Sequence, residues 1–421
     1  MKPAKLLLLT LIVAGAFLLL PPDRAAARIK LATLPVRERV EIQLDNGSFT
    51  LVEEERIVPL LKSSPQTGNN FVDFSWTNTG INKDTILFRP IAVRSGDKFE
   101  PIGKVKGANG GEVEEVGVIN VSFPPGENAL VWEVFAAKAC AVKVRVSYLV
   151  SNLGRSFSYR ALADKDETKL SLKKYMLISN YSGEDFGESG IWAGFGNPLT
   201  KLVDNRNEIK VLMHTFENVP ITKTYTFDWY RHGALSAEKP FASKVLMHYK
   251  LKNDTANGMG LFPLQPGKVR IFIDDGHEGE AFLGEDLAYL TPIDDEVKLY
   301  LGEASDIVCT RTVKSNERFV ERGNLYNVEV VLKYEIENFK NKPCTFTIVE
   351  QIDRLAQEFF GDPHGVVQWE SGANTSPEVR ISNEKGANNP ELSIDLPAAP
   401  AGAEKVEKKT VLFHVVMKNL W

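Results

Sequence analysis

The sequence predicts an all-β protein: two or three antiparallel β-sandwich-like modules, with few or no helices beyond an N-terminal export segment. Three observations predict it. Apolar and polar residues alternate at period two in run after run, the spacing of a strand with one buried face. Turn-forming residues punctuate these runs roughly every 8–15 residues, as sandwiches require. No window carries a long apolar stripe at the 3.6-residue spacing of a helix.

The elements follow in chain order. Lys2 and Lys5 give a positive start, and Leu6 to Leu20 is an apolar run interrupted only by Thr10 and the small Gly15. Pro21 and Pro22 break it, and Ala25-Ala26-Ala27 offers a small-residue cleavage site. This is the layout of a secretory signal peptide over residues 1–27. The apolar core is shorter than the ~20 residues that span a bilayer. A retained N-terminal anchor is the alternative, and would be the chain's membrane contact. No cysteine follows the run, so a lipid-anchored start is not indicated. The expected location is extracytoplasmic: periplasmic, cell-surface or secreted. Cleavage would remove Lys2, Lys5, Arg24 and Asp23, a net +2, taking the formal charge from −5 to −7.

The rest divides into three expected blocks. In the N-terminal β domain, 28–150, Asn46-Gly47 sits between strand-like runs as a two-residue hairpin turn. Asn109-Gly-Gly-Glu112 and Pro124-Pro125-Gly126 mark loops, and Val142, Val144, Val146, Tyr148 and Val150 share one strand face. In the middle β segment, 151–258, Tyr225, Phe227 and Trp229 alternate with Thr224, Thr226 and Asp228. In the C-terminal β-sandwich domain, 259–421, Asp275-Gly276 follows Lys268 to Asp274 as a hairpin turn. Tyr326, Val328, Val330, Leu332, Tyr334 and Ile336 alternate with polar residues, with Val331 as the exception. Ile352 to Phe360 reads as one short helix or an irregular strand extension. Leu396 to Glu404, rich in Ala and Pro, is a loop leading to a last strand whose Val411, Phe413, Val415 and Met417 share a face.

Composition narrows the class. The chain has 421 residues, 43% hydrophobic and 25% charged, with mean hydropathy −0.17, which are globular values and point away from disorder and from multi-span membrane classes. No region gathers Lys and Arg into a stripe, so nucleic acid is not an expected partner. Cys140, Cys309 and Cys344 are too few for a disulfide scaffold, and an odd number leaves at least one unpaired within the chain. Cys140 reads as a small buried hydrophobe. In a meander, Cys309 and Cys344 would lie two strands apart, about 10 Å, beyond the ~7 Å Cα limit for a bridge.

In the third block, Asn257-Gly-Met-Gly260 is followed by Pro263-Leu-Gln-Pro-Gly-Lys-Val-Arg270, Gly284-Glu-Asp286, Thr291-Pro292 and Gly302 to Val308. Tyr334-Glu-Ile-Glu-Asn338, Phe346 to Gln351, a Pro/Ala loop and a last Thr/Val-rich strand ending in Trp421 complete the series. This order resembles the uncharacterised bacterial family called domain of unknown function 4139. Leu44-Asp-Asn-Gly-Ser-Phe-Thr-Leu-Val52 is similar to its opening hairpin, and Ser179-Asn180 with Ser182-Gly-Glu-Asp185 to its middle segment. The likeness covers most of the mature chain. It departs at Arg155-Ser156-Phe157, where relatives often place Trp. The resemblance implies an exported β-rich protein and supplies no activity and no catalytic residues.

Candidates for chemistry are few. Asp274-Asp275-Gly276-His277-Glu278, with Glu285 and Asp286, could bind a divalent cation, but the spacing fails the calcium-loop pattern and suits a hairpin tip. Ile293-Asp294-Asp295-Glu296 reads as a solvated loop. His214, His232, His248, His277, His364 and His414 include no pair at zinc-binding i, i+4 spacing. Gly187-Glu-Ser189-Gly190 lacks the spacing of a nucleophile elbow, and Gly194-Phe-Gly196 lacks the third glycine of a dinucleotide site; both read as loop or turn. Six tryptophans, Trp76, Trp132, Trp192, Trp229, Trp369 and Trp421, are scattered, and the Tyr225-Phe227-Trp229 stripe reads as core before it reads as a sugar platform.

No catalytic, cofactor-binding or metal residues are therefore assigned, and no cofactor is expected. The expectation is an exported envelope or surface protein that binds or scaffolds without catalysis. Its partners would be an envelope protein or a polysaccharide. The alternative is an extracytoplasmic hydrolase or metal-dependent enzyme assembled from distant loops around Asp274, Asp275, His277 and Glu285.

Overall fold

A computed structural model describes residues 28–31, 37–44, 48–107, 110–194, 198–232, 241–361, 366–382, 388–400 and 406–420. Strands make up 64% of the structure, and one helix reaches seven residues or more. The fold is all-β, in several separate sheets of sandwich-like modules. The chain groups into two compact units. Unit 1 holds the described residues up to Arg155 together with Ile178–Ile209; unit 2 holds Ser156–Leu177 and the chain from Lys210 onward.

In chain order the first strands are β1 (Arg28–Lys30), β2 (Arg39–Gln43), β3 (Thr50–Leu60), β4 (Asn70–Ser75), β5 (Leu87–Ser95) and β6 (Lys98–Pro101). Next come β7 (Lys104–Lys106), β8 (Glu112–Glu114), β9 (Val116–Ser122), β10 (Ala129–Ala136) and β11 (Cys140–Val150). β12 (Leu153–Ala163), β13 (Lys169–Asn180), β14 (Gly187–Trp192), β15 (Leu199–Val203) and β16 (Asn207–Pro220) follow. Then come β17 (Thr222–Asp228), β18 (Phe241–Lys252), β19 (Gly267–Asp274), β20 (Glu280–Ala288), β21 (Glu296–Arg322) and β22 (Leu325–Asn338). β23 (Cys344–Val349), β24 (Gln368–Ser371), β25 (Arg380–Ser382), β26 (Glu391–Leu396) and β27 (Lys409–Leu420) complete the set.

Unit 1 is built on a seven-stranded sheet, β15-β14-β2-β3-β11-β5-β6, and a four-stranded one, β1-β4-β10-β9. The alternation read in the sequence is the cause. Val142, Val144, Val146, Tyr148 and Val150 are all buried, and β11 pairs with β3 over their whole length. Trp132 on β10 stacks on Phe88 of β5 with ring centres 4.6 Å apart. Asn46-Gly47 lies outside the described residues, but the strands it joins, β2 and β3, pair antiparallel.

Unit 2 carries a five-stranded sheet, β16-β13-β12-β19-β20, and a nine-stranded one, β24-β27-β22-β21-β18-β17-β23-β26-β25. Two cores result. One gathers Phe227, Val330, Leu332, Tyr334, Phe346, Ile394 and Phe413 from strands of the large sheet, all but buried. The other joins Tyr159, Leu172, Val269 and Ile271 to Tyr249, Leu299 and Leu301. Each large side chain buried this way stabilises the fold by about 1.5–3 kcal/mol relative to exposure.

Local outcomes differ from expectation in places. Trp229 does not extend β17; it opens a short helical turn, Trp229–His232, while its ring stays in the core. Ile352–Phe360 is a helix, because Ile352, Leu355 and Ala356 fall on one buried face and Gly361 ends it at φ 89°. The segment around Ser189 is strand, not loop: β14 pairs with β2 on one side and β15 on the other. Cys140 is half-buried rather than buried. Cys309 and Cys344 lie three strands apart, not two, because β18 and β17 are inserted between β21 and β23; all three cysteines are free.

Candidate functional site

The cluster flagged at 274–286 is the tip and flank of the β19–β20 hairpin. Asp275 Oδ1 accepts the N–H groups of His277 and Gly279 at 2.7 and 3.0 Å, and Asp274 accepts that of Gly276. Gly276 and Glu278 adopt φ of 76° and 64°, so the acids shape the turn. Glu285 pairs with Lys268 and Arg270, which hold its carboxyl below the usual range. Asp286 instead accepts the Tyr300 N–H at 2.6 Å. These side chains do not converge. Asp294 is the φ 68° residue of an exposed loop, where Asp295 caps the N–H of Glu296. Among the described residues, no group of three His, Cys, Asp or Glu side chains is placed to hold a metal ion.

The histidines are dispersed. His214 packs its ring 4.4 Å from that of Phe216, and His248 lies 5.6 Å from Tyr300. His414 is buried, with Nε2 3.2 Å from Glu329 and Nδ1 accepting the Asn374 N–H. His364 and the side chain of His232 lie outside the described residues, as do Phe195-Gly196 and Trp421. Ser189 is buried and its hydroxyl donates to the carbonyls of Phe186 and Gly187, which leaves no place for a base.

Two buried ionic clusters stand out. In unit 1, Glu54 is fully buried and meets Arg56 at 3.1 Å and Arg37 at 2.7 Å, while Arg37 also reaches Glu184 at 3.1 Å. Burial pushes the Glu184 carboxyl up and Arg37 draws it back. In unit 2, Arg311 is buried beneath the helix Ile352–Phe360. It donates to both oxygens of Glu358, at 3.2 and 3.0 Å, and through Nε to Glu350 at 3.2 Å. Tyr230 donates to Glu358 at 2.7 Å, and Tyr334 donates to the same oxygen of Glu350 that Arg311 uses. Lys174 is also buried, against the rings of Phe262 and Phe157, with its ammonium donating to Gln265. Glu54, Arg56, Arg311, Glu350, Glu358 and Lys174 are enclosed and serve the fold, while Arg37 and Glu184 keep about a fifth of their side chains in solvent.

The open site lies on the reverse face of the aromatic stripe. On β17, Tyr225 and Phe227 point into the core, which turns Thr222, Thr224 and Thr226 to the opposite face. The register places Thr226 beside Thr347 of β23, and Thr347 beside Ser393 of β26. Hydroxyls therefore repeat at ~4.8 Å across the strands and about 6.6 Å along them. Lys298 on β21 and Glu391 on β26 are four strands apart in sheet order, about 19 Å on a flat sheet. Their charged atoms meet at 3.1 Å. The face is therefore strongly concave, and it encloses a groove of about 400 Å³. Its charges are compensated at the rim: Lys250 pairs with Glu296 at 2.8 Å, and Lys298 with Glu391. Thr345 donates to Asp395; the hydroxyls of Thr224, Thr226, Thr347 and Ser393 have no side-chain or backbone partner among the described residues.

Reading the sequence missed this face. Its signal is present in Thr222-Lys-Thr-Tyr-Thr-Phe227 and Thr345-Phe-Thr-Ile348: hydroxyls at every second position opposite a core stripe. Alternation alone marks them as solvent-facing, and only the curl of the sheet makes them a groove. No protein-family model matches the chain, and no curated protein matches it.

Proposed function

We propose that this chain is an exported binding or scaffolding module, without catalysis, that takes a polyhydroxylated ligand such as a polysaccharide strand on the concave face of unit 2. The observation that carries the reading is the row Thr226, Thr347 and Ser393, with Thr224 beside it, whose hydroxyls are left open inside a concave groove. A hydroxyl can both donate and accept, which suits a ligand made of hydroxyls. The paired rim lysines and glutamates leave little net field, which favours a neutral chain over a strongly charged one. Export rests on the Lys2/Lys5 start, the apolar run and Ala25-Ala26-Ala27. The reading agrees with what the resemblance to domain of unknown function 4139 implies and takes no residue role from it.

The test is calorimetric titration of the protein with neutral and acidic polysaccharides, beside the double variant Thr226→Val, Thr347→Val. A neutral polysaccharide should bind, and the variant should weaken it roughly tenfold, two lost hydrogen bonds at about 0.5–1.5 kcal/mol each. Binding unaffected by the variant would remove the site, and turnover of the polysaccharide would overturn the non-enzymatic reading.

A further inference from the structure

The unit 2 cluster is unbalanced. Arg311 faces two enclosed carboxylates, Glu350 and Glu358, whose side chains are 0% and 3% exposed. Among the described residues, the other groups around Glu350 are Tyr334 from β22, Tyr230 from the helical turn and Cys309 from β21. None of these is a cation. The first N–H groups of the nearby helix do not reach Glu350 either: those of Ile352 and Asp353 go to the carbonyl and the side chain of Asn388.

The two carboxyls are dressed differently. Glu358 accepts a guanidinium N–H on each oxygen and the Tyr230 hydroxyl besides, as an ionised carboxylate should. Glu350 receives both its donors, Arg311 Nε and the Tyr334 hydroxyl, on Oε1. Its Oε2 is buried and has no hydrogen-bond partner among the described residues. A carboxylate shares its charge between two oxygens, and leaving one of them dry and undonated costs far more than burying a neutral group.

We infer that Glu350 is carried as the neutral acid, its proton on Oε2, so that unit 2 takes up a proton when it folds at neutral pH. Glu350 and Arg311 then form an acid–guanidinium hydrogen bond, and the one full ion pair is Arg311 with Glu358. Burial pushes the Glu350 carboxyl up from 4.5, and Arg311 and Tyr334 pull it back only in part. The sign follows from linkage. A carboxyl with a raised folded pKa binds its proton more tightly in the folded state. Its stabilisation is complete below the unfolded value and is lost as pH rises through 4.5 to the folded value. The network is thus an acid-favoured element inside the core of unit 2.

Difference infrared spectroscopy of the full chain, with and without ¹³C-labelled glutamate, reads the proton directly. A protonated carboxyl band should be present at pH 7, be isotope-shifted, and vanish in Glu350→Gln. The amide is a near copy of the neutral acid, with its nitrogen in place of the protonated Oε2. Glu350→Gln should therefore hold Tm within roughly 3 °C at pH 7, while Glu358→Gln lowers it by roughly 8 °C or more. The advantage of wild type over Glu350→Gln should shrink as pH rises above 4.5 toward the raised folded value. Absence of the band from the folded wild type would overturn the inference, whatever the variants do. Equal damage from the two variants would overturn it as well.

Discussion

Both units bury an arginine–glutamate cluster, and the two are balanced differently. In unit 1 two arginines, Arg37 and Arg56, meet two glutamates, Glu54 and Glu184, and the charges cancel. Arg37 also keeps about a fifth of its side chain in solvent, and Arg56 donates a further bond to the Leu31 carbonyl at 2.6 Å. In unit 2 one arginine serves two glutamates, with Arg311 and Glu350 all but excluded from water. The difference teaches that burial of charge has two solutions in one chain. Counter-charges are matched in number where solvent is near, and a proton makes up the deficit where it is not.

The largest effect should come from Arg311→Leu, which strands both carboxyls in the core. Breaking a buried pair this way costs about 3–5 kcal/mol, measured by urea unfolding of the whole chain. A loss below ~1 kcal/mol would mean that the cluster is not what holds the helix Ile352–Phe360 in place. Glu54→Gln should cost less, about 1–3 kcal/mol, because Arg37 can turn to water and keep Glu184, and Arg56 keeps the Leu31 carbonyl and the amide oxygen as acceptors. If it matched Arg311→Leu, the contrast in balance would have no energetic content.

The fold class was legible in the sequence because alternation is a local signal. The spacing of Tyr326 to Ile336 by itself names the core face of β22, and residues 328, 330, 332, 334 and 336 are all buried. The hairpin chemistry of Asp275-Gly276 was equally local. The borders of the two units were not legible: they fall at 155/156, 177/178 and 209/210, each inside a strand, where composition does not change. Nor were the clusters. Glu54 and Arg56 sit within the charged run 53–56 with nothing local to mark them for burial, and Arg311 and Glu350 are far apart in sequence; long-range pairing alone brings them together. The groove depends on the curl of a nine-stranded sheet, which no single strand encodes.

The smallest effect separates the units by their thiols. Burial pushes Cys344 up to about 11 and Cys309 well beyond the ordinary thiol value. Burial and Glu115 also raise Cys140, while Lys138 draws it back. Iodoacetamide at slightly alkaline pH should label Cys140 of unit 1 first, Cys344 next, and Cys309 only on unfolding, read by mass spectrometry of tryptic peptides. Early labelling of Cys309 would show that the core of unit 2 opens more easily than its packing implies.

Strand β21 runs unbroken for 27 residues. Val297, Leu299 and Leu301 at its start belong to one core of unit 2, and Ile307 and Cys309 further along belong to the other. Its neighbour β18 does the same, with Tyr249 and Leu251 in the first core and Val245 in the second. Neither core can come apart while these two strands remain paired, and neither can hold them alone. The two cores should therefore behave as one cooperative element, melting in a single transition, with amide protons of the core stretches 245–251 and 297–309 exchanging at a common rate set by global opening.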